Sequence, residues 1–353
     1  MAPIRVGLIG LSSTSTSFAA GAWAAKAHLP WLLKSPDYKL VALANSSVEA
    51  AKASIKAHGL PAETRAYGTP EEIANDPDVD LVVVSVNVAK HYDLIKPALH
   101  AKKDAFVEWP LGANTTEAAE LTELAKANGV KTVVGLQARA DPIVIKTKEI
   151  VQSGVLGNLT SSNVVVANSA FPTQTWFAGA EYYLSKDSGG NMLTIFFGHF
   201  DFEDALPHGD YRGWPRKVVQ ENYPRTAPDH LLVQGTLENG ALASISVRAT
   251  EEAVDDVGFC WVITGTKGEL ELTRPPGSWQ TGPPEGTLRL RVGKNAAEAI
   301  DFSTIHSSDV ATTEEPNMAA VYDAFAKGQD DRFSTFESSL RVHKLLDRIV
   351  QAS

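Results

Sequence analysis

The sequence has little cysteine, no long apolar run and no excess of positive charge, and each shortage excludes a class of protein. Cys260 is the single cysteine among 353 residues, which excludes an intrachain disulfide and a zinc site built from several thiolates. The formal net charge of −10 disfavours direct binding to nucleic acid or to an anionic membrane, because both demand a basic face. No segment approaches the roughly 18 consecutive apolar residues that span a bilayer. We therefore expect a soluble, cytoplasmic protein.

The first third of the chain alternates short apolar runs with segments of helical composition. Strands are predicted at 4–9, 39–44, 81–86, 105–107 and 130–136, and helices at 19–34, 48–58, 91–101 and 114–128. Pro30 should kink or break the first of these helices. This alternation is typical of βαβ units and predicts a Rossmann-type, doubly wound parallel sheet in an α/β domain.

Beyond about residue 150 the pattern changes to the two-residue period of β-strands. Strands are predicted at 231–237, 241–247, 257–264, 269–273 and 288–292, and a final helix at 335–351. The sequence therefore predicts a dinucleotide-binding domain at 1–135. A C-terminal α+β domain at 136–353 should carry a large, mostly antiparallel sheet for substrate binding and oligomerisation, with the last helix packing back on the body.

The turn after the first strand holds glycines and hydroxyl side chains. Gly10 ends the strand, and Ser12 stands where the second glycine of a G-x-G-x-x-G motif would fall. Backbone near a helix N-terminus suits a pyrophosphate, and the hydroxyls of Ser12 and Ser13 suit phosphate oxygens. The alternative interpretation is an ordinary solvated loop.

The second strand is followed by Asn45, Ser46 and Ser47, without an acidic residue at its tip. A carboxylate there would bind the 2′-hydroxyl of NAD and repel the 2′-phosphate of NADP. Its absence favours NADP over NAD as the cofactor. Asn45 has a second interpretation, as the cap of the next helix.

Five short stretches carry a family resemblance: Asn87 with His91, Glu108-Trp109-Pro110, Gln137-Ala138-Arg139, Gly189-Gly190 and His199. With the first glycines, they resemble the Gfo/Idh/MocA oxidoreductases over nearly the whole chain. Within that family, residues 88–92 and 228–237 look most similar to the branch of fungal galactose-regulon repressors. The resemblance implies NAD(P) binding that involves Asn87, His91, Glu108, Trp109 and Gln137.

Two departures from the family's enzymes affect the chemistry. The lysine that follows the glutamate in those enzymes is Trp109 here, and the aspartate four residues before the active-site histidine is Ile195. An indole has one N–H and exchanges no proton near neutral pH, although it can stack on a nicotinamide or sugar ring. His199 is then the candidate general acid or base, because the ordinary pKa of histidine lies near 6.5. Lys90 is a candidate substitute cation, or a solvated lysine at a helix start.

The remaining candidates are substrate contacts. Arg139, Trp176 and Tyr183 join His199 as candidate substrate residues, although surface pairing of the arginine and core packing of the aromatics are alternatives. We expect no metal, since Asp229 and His230 are adjacent and point to opposite faces of a strand.

Two functions of different class remain open. The first is an NADP-dependent oxidoreductase acting on a sugar-like or polyol-derived small molecule. The second is a non-catalytic NAD(P)-binding regulator with a protein partner. In either case the resemblance implies a homodimer or a higher homo-oligomer that pairs through the face of the second sheet.

Overall fold

The structure is a computed structural model that describes residues 2–13, 21–168, 180–191, 193–199, 226–228, 230–250, 253–276, 285–313 and 315–351. Two β-sheets with flanking helices organise these residues. Within these ranges, no helix combines the length and the apolar character needed to cross a bilayer.

A parallel sheet forms the N-terminal part of the molecule. Its elements are β1 (Ile4–Ile9), α1 (Leu29–Lys34), β2 (Tyr38–Ala44), α2 (Val48–Ala57), β3 (Arg65–Tyr67), α3 (Pro70–Ala74), β4 (Leu81–Val84), α4 (His91–His100), β5 (Asp104–Val107), α5 (Thr115–Asn128) and β6 (Thr132–Val134). In the described chain six strands lie in the order β3-β2-β1-β4-β5-β6 and pair in parallel. The predicted Rossmann-type architecture is confirmed, and the strand order reverses between β1 and β4.

The first predicted helix is divided in the structure. A π-helical turn spans Ala24–His28, and α1 starts directly after it. Pro30 lies in the first turn of α1, where its missing N–H has no partner to lose. His28 and Leu29 both keep right-handed helical backbone angles, so the π-helical turn continues into α1 and the chain changes helix type before Pro30 without a break.

Helix α5 has the ends that its sequence predicts. The Asn114 side chain accepts a hydrogen bond from the backbone N–H of Glu117 at 3.0 Å and donates one to the Glu117 carboxylate, also at 3.0 Å. Gly129 closes the helix at φ +65°, a left-handed conformation that glycine adopts without a steric penalty.

The C-terminal part carries the second sheet and further helices. Its elements are α6 (Pro142–Gln152), β7 (Leu159–Asn168), β8 (Leu231–Thr236), β9 (Leu242–Ala249), β10 (Phe259–Gly265), β11 (Gly268–Arg274), β12 (Thr287–Val292), β13 (Glu298–Ala299), α7 (Ser308–Ala311), α8 (Pro316–Lys327) and α9 (Phe336–Gln351). The order is β13-β12-β11-β10-β7-β9-β8, and among the described strands of this second sheet only β7 and β9 pair in parallel. The predicted mostly antiparallel sheet is confirmed.

The last two helices return to the N-terminal sheet. Helix α9 packs on α5 and β6, while α8 packs on the π-helical turn at Ala24–His28 and on a 3₁₀ turn at Gln137–Ala140. Phe336, Val342 and Leu346 bury one side of α9 in the same core as β5 and β7. These contacts place C-terminal side chains beside the carboxyl ends of the parallel strands. The domain boundary at 135/136 stays a prediction.

A buried ion pair connects Arg274, at the end of β11, to Asp141, which precedes α6. The Asp141 carboxylate caps α6 and accepts hydrogen bonds from Arg274 at 2.5 Å and from Asn317 at 3.0 Å. All three side chains are buried, and they come from three different parts of the chain. Because each charge and amide has a partner, the group holds the turn that carries Gln137 and Arg139 in a fixed place.

Candidate functional site

The turn after β1 brings its backbone directly against the end of β4. Gly10 has φ +100°, and a Cβ atom at this position would lie 2.3 Å from Cγ1 of Val86 and 2.5 Å from the carbonyl oxygen of Ser85. A Cβ atom on Gly21 would lie 2.0 Å from the carbonyl oxygen of Gly10. Only glycine therefore allows this close turn, which lies where the strand order reverses.

Polar side chains of the β2–α2 region hold the same turn from the other side. Asn45 donates from Nδ2 to the carbonyl oxygen of Leu11 at 2.9 Å, and Ser54 donates to that oxygen at 2.8 Å. His58 Nε2 lies 2.7 Å from the carbonyl oxygen of Ser12. The amide of Asn45 thus orders the turn itself.

Of the polar residues near the tip of β2, some support the backbone and others face solvent. Ser47 caps α2 by accepting from the N–H of Ala50 at 3.1 Å, so the interpretation of Asn45 as that cap was wrong. Ser46 and Ser13 are exposed and Ser12 is half-buried. Binding of phosphate at this tip stays a prediction for these side chains.

The loop after β4 is braced by His91. Asn87 caps the short turn Val88–Lys90 by accepting from the N–H of Ala89 at 3.1 Å. Buried His91 contacts two carbonyl oxygens, Nδ1 to Pro110 at 2.7 Å and Nε2 to Val86 at 3.0 Å, and burial lowers its pKa. His91 therefore links the loops after β4 and β5. Lys90 is exposed, and its proposed role as a cation in catalysis stays a prediction.

Trp109, in the place of the family's lysine, is built into the core. Its indole N–H donates to the carbonyl oxygen of Thr194 at 3.0 Å, and its ring lies 4.8 Å from the ring of His343. A Cβ atom on Gly198 would come within 2.3 Å of the indole. The residue is 6% exposed, so most of the ring is occupied by protein contacts rather than open for stacking on a ligand.

His199 follows directly on the glycine that touches Trp109. It is buried, and burial lowers its pKa to about 3, so the ring is neutral at physiological pH. Gly189 and Gly190, at the start of the same segment, sit so close to Ala113 and to Val88 that a Cβ atom would overlap with either. The segment with His199 thus lies on the loops that follow β4 and β5. The residues immediately after His199 lie outside the described chain.

A buried network that the sequence did not reveal ends on Glu108. His28 Nε2 lies 2.9 Å from the Glu108 carboxylate, and His28 Nδ1 lies 2.7 Å from the hydroxyl of Tyr322. The three residues come from the π-helical turn, β5 and α8. A lone histidine and a lone tyrosine carry no sequence signal for such a contact, because only the tertiary fold brings them together. His343 was missed for the same reason.

The remaining candidates fall in different surroundings. Gln137 is 3% exposed, and its side-chain carbonyl oxygen accepts no hydrogen bond from the described residues. Arg139 is half-buried on the same turn. Tyr183 stacks with Tyr182 at a ring separation of 4.4 Å. Trp176 lies outside the described residues.

These observations fit a dinucleotide at the carboxyl edge of the parallel sheet. The turn at Gly10 allows the close backbone approach that a pyrophosphate requires. No described residue donates a hydrogen bond to the buried oxygen of Gln137, and an amide N–H of a ligand would satisfy it. Gly10, Ser12, Asn87, Glu108 and Gln137 are thus the residues that would hold such a cofactor.

Comparisons with known proteins agree with this fold. Residues 4–136 match the GFO_IDH_MocA model, described as an oxidoreductase family with an NAD-binding Rossmann fold. Residues 142–206 and 215–274 match the Gal80p C-terminal domain. The chain is 29% identical over 366 residues to Dehydrogenase aclE of Aspergillus oryzae, covering 99% of this chain and 96% of that protein.

Two further comparisons concern the yeast Gal80 protein. The galactose/lactose metabolism regulatory protein GAL80 of Saccharomyces cerevisiae is 30% identical over 306 residues, covering 77% of this chain and 67% of that protein. The crystal structure of a super-repressor mutant of Gal80p from the same yeast superposes with a TM-score of 0.82 at 24% identity, covering 99% of this chain and 96% of that one. The chain therefore belongs to the Gfo/Idh/MocA oxidoreductase family, with a C-terminal domain of the Gal80p type, and its relatives include both a dehydrogenase and a regulator.

Proposed function

We propose that the protein is an NADP-dependent oxidoreductase that acts on a sugar-like or polyol-derived alcohol or carbonyl compound. The observation that carries this proposal is the position of His199 directly after Gly198, which packs on Trp109 in the loop that follows β5. Membership of an oxidoreductase family and the dehydrogenase relative support it. Hydride chemistry would come from the bound nicotinamide cofactor.

The chain's own residues would position substrate and handle the proton. Burial lowers the pKa of His199 to about 3, so the ring is neutral at physiological pH but a weak base. In alcohol oxidation, contact with the bound substrate would have to raise this pKa for a ring nitrogen to accept the hydroxyl proton. Arg139 and Tyr183 would orient substrate oxygens. Trp109 would occupy space and would transfer no proton, because its indole N–H is hydrogen-bonded to the carbonyl oxygen of Thr194.

The preference for NADP rests on the tip of β2. Residues 45–47 bring amide and hydroxyl groups and no carboxylate, which avoids repulsion of a 2′-phosphate. NADPH should raise the melting temperature more than NADH at equal concentration. Ser46→Asp should weaken NADPH roughly tenfold and leave NADH nearly unchanged, with Ser46→Ala as the control. Equal shifts with both cofactors in the wild type would contradict this preference.

Turnover on a panel of sugars, sugar acids and polyols, followed by nicotinamide absorbance, tests the enzyme proposal. His199→Ala should lower turnover about 10²–10⁴-fold while NADPH affinity hardly changes. His100→Ala, at the exposed end of α4, is the matched control and should keep full activity. Full activity in His199→Ala would refute the assigned role of this histidine.

A second candidate is a non-catalytic regulator whose affinity for a protein partner changes with bound NAD(P). The observation that favours it is Trp109, which fills the lysine position with a ring held by His343 and Thr194. The GAL80 relative supports it as well. Trp109→Lys restores the family's proton donor. If neither the wild type nor this variant turns over any substrate while both bind NADP(H), the regulator becomes the preferred function.

We also infer that the protein self-associates through the outer face of the second sheet. Leu232, Leu242 and Val165, on the neighbouring strands β8, β9 and β7, are 66%, 64% and 45% exposed. The strand register puts these three side chains on one face of the sheet, and exposed apolar side chains on a shared face favour burial against another surface. Light scattering at micromolar concentration should give at least a dimer, and a monomer would contradict this assembly.

A further inference from the structure

A hydrogen-bonded chain of three side chains runs from the interior of the molecule to the carboxyl end of β5. Tyr322 of α8 contacts Nδ1 of His28 at 2.7 Å, and Nε2 of His28 contacts Oε1 of Glu108 at 2.9 Å. Tyr322 and His28 are buried, whereas the side chain of Glu108 is 12% exposed. This series of hydrogen-bonded side chains thus starts in the core and ends on the Glu108 carboxylate, which is partly exposed to solvent.

The chemistry of the three groups sets the direction of the hydrogen bonds. An ionised carboxylate only accepts, so His28 donates through Nε2–H to Glu108. With one hydrogen on the imidazole, Nδ1 is the acceptor, and the Tyr322 hydroxyl donates to it. Burial raises the pKa of Tyr322 well above its usual value, so this hydroxyl keeps its hydrogen. Tyr322 therefore selects one tautomer of His28.

Glu108 is confined from a second side by the backbone of Gly135. A Cβ atom on that glycine would lie 2.5 Å from each of the two carboxylate oxygens. Oε1 is bonded to His28, whereas Oε2 receives no hydrogen bond from any described residue. One oxygen is held in place and the other is left for a donor outside the protein.

The sheet order places Glu108 toward the nicotinamide half of a bound dinucleotide. The strand order is β3-β2-β1-β4-β5-β6, and in this fold the adenosine ribose lies at the tip of β2 with the pyrophosphate after β1. The other half of the ligand then extends over β4 and β5, where Glu108 stands.

We propose that His28 and Tyr322 are positioning residues that orient Glu108 to accept an N–H from the nicotinamide half of the cofactor. This inference rests on the dinucleotide binding proposed above. A purely structural tie would stabilise the fold without distinguishing one half of the ligand from the other. A positioning role instead predicts a loss of binding affinity only for ligands that contain the nicotinamide half.

The experiment compares Tyr322→Phe with Tyr38→Phe. Tyr38 lies in the same aromatic cluster, with its ring 5.2 Å from that of Tyr322, and it donates a 2.7 Å hydrogen bond to the backbone carbonyl of Tyr322. Each variant therefore removes one buried phenol hydroxyl and one hydrogen bond, and both should lower the melting temperature by similar amounts. Only Tyr322→Phe removes the donor to His28.

Binding is measured by calorimetry with NADPH and with 2′-phospho-ADP-ribose, which lacks the nicotinamide half. Tyr322→Phe should weaken NADPH roughly three- to tenfold, the effect of one hydrogen bond, and leave 2′-phospho-ADP-ribose unchanged. Tyr38→Phe should change neither affinity. Equal weakening of both ligands, or unchanged NADPH binding in Tyr322→Phe, would overturn the positioning role while leaving dinucleotide binding intact.

Variants of His28 give an independent measurement. His28→Gln keeps an amide N–H to donate to Glu108 and should retain more NADPH affinity than His28→Leu, which has no donor. Equal NADPH affinity in the two would overturn the inference. Absence of binding of either cofactor to the wild type would instead refute the proposed function itself.

Discussion

The strand order of the parallel sheet reverses between β1 and β4, and the residues on the two sides of this point differ in size and polarity. On the β1–β2 side, small residues and polar side chains hold backbone carbonyl groups: Gly10 and Gly21 shape the turn, and Asn45 and Ser54 both donate to Leu11. On the β5 side, large buried side chains fill the space, with Trp109 between His343 and Gly198.

The difference separates binding from chemistry. The first side keeps a close, hydrogen-bonded backbone turn, which is what a dinucleotide requires. The second side has replaced a cation by an indole whose N–H is already bonded. Under the proposed function, a dinucleotide site and a reaction site without the family's lysine would lie side by side, so substitutions on the two sides should have different consequences.

The largest effect is expected from Gly10→Ala. The new Cβ would sit at φ +100° and overlap Val86 and the backbone of Ser85, so strain and overpacking together should cost about 3–5 kcal/mol of unfolding free energy. NADPH affinity should fall more than tenfold, because the turn must move. Urea unfolding and calorimetry measure the two quantities.

Gly59→Ala is the matched control for that substitution. Gly59 also has a positive φ, +59°, but no atom lies within 4 Å of its Cβ position, so the cost should be only about 1 kcal/mol with unchanged NADPH affinity. A similar loss of affinity in both variants would mean that the turn at Gly10 has no special relation to the ligand.

Trp109→Phe tests the other side of the comparison. It removes the hydrogen bond to Thr194, leaves that carbonyl without its partner and reduces the contact with Gly198, for a loss of about 2–3 kcal/mol in unfolding free energy. NADPH affinity should stay within about threefold, since the indole contacts protein.

Trp31→Phe provides the comparison for Trp109→Phe. Trp31 is equally buried, but its indole N–H has no acceptor among the described residues, so its removal should cost less than about 1.5 kcal/mol. If Trp109→Phe instead weakens NADPH tenfold at unchanged stability, the indole belongs to the cofactor site.

The sequence was most informative where structure is local. The caps of α5 at Asn114 and Gly129 and the apolar runs of β1 and β4 depend on neighbouring residues, and these elements were predicted. Strand β3, with three residues and no apolar run, was missed, as was α3 directly after it. Helix α8 was missed too, because its buried positions nearly surround it and leave no clear polar stripe.

The candidate site was predictable only in part for a related reason. Motif residues such as Gly10, Asn87 and Glu108 follow strands whose carboxyl ends meet, so their common location follows from the fold. The contact of Trp109 with Thr194 spans 85 residues, and that of His28 with Tyr322 spans 294. No local pattern encodes such distances.

The smallest effect concerns pH, and it arises from His343 on the β5 side. Burial lowers the pKa of His343 to about 4, against about 6.5 in the unfolded chain. Below pH 6.5 this histidine is protonated in the unfolded state but not in the folded state, so it lowers stability as the pH falls from 6.5 toward 4.

The substitution His343→Phe tests this pH effect. It keeps an aromatic ring beside Trp109 and removes the group that titrates. The loss of unfolding free energy between pH 7 and pH 5 should therefore be about 1–2 kcal/mol smaller than in the wild type, measured by urea unfolding at each pH. His100→Gln, at an exposed position, should leave the pH profile unchanged. An unaltered acid slope in His343→Phe would mean that His343 takes up its proton at the same pH in the folded and unfolded states, so that the β5 side would hold a positive charge below about pH 6.5.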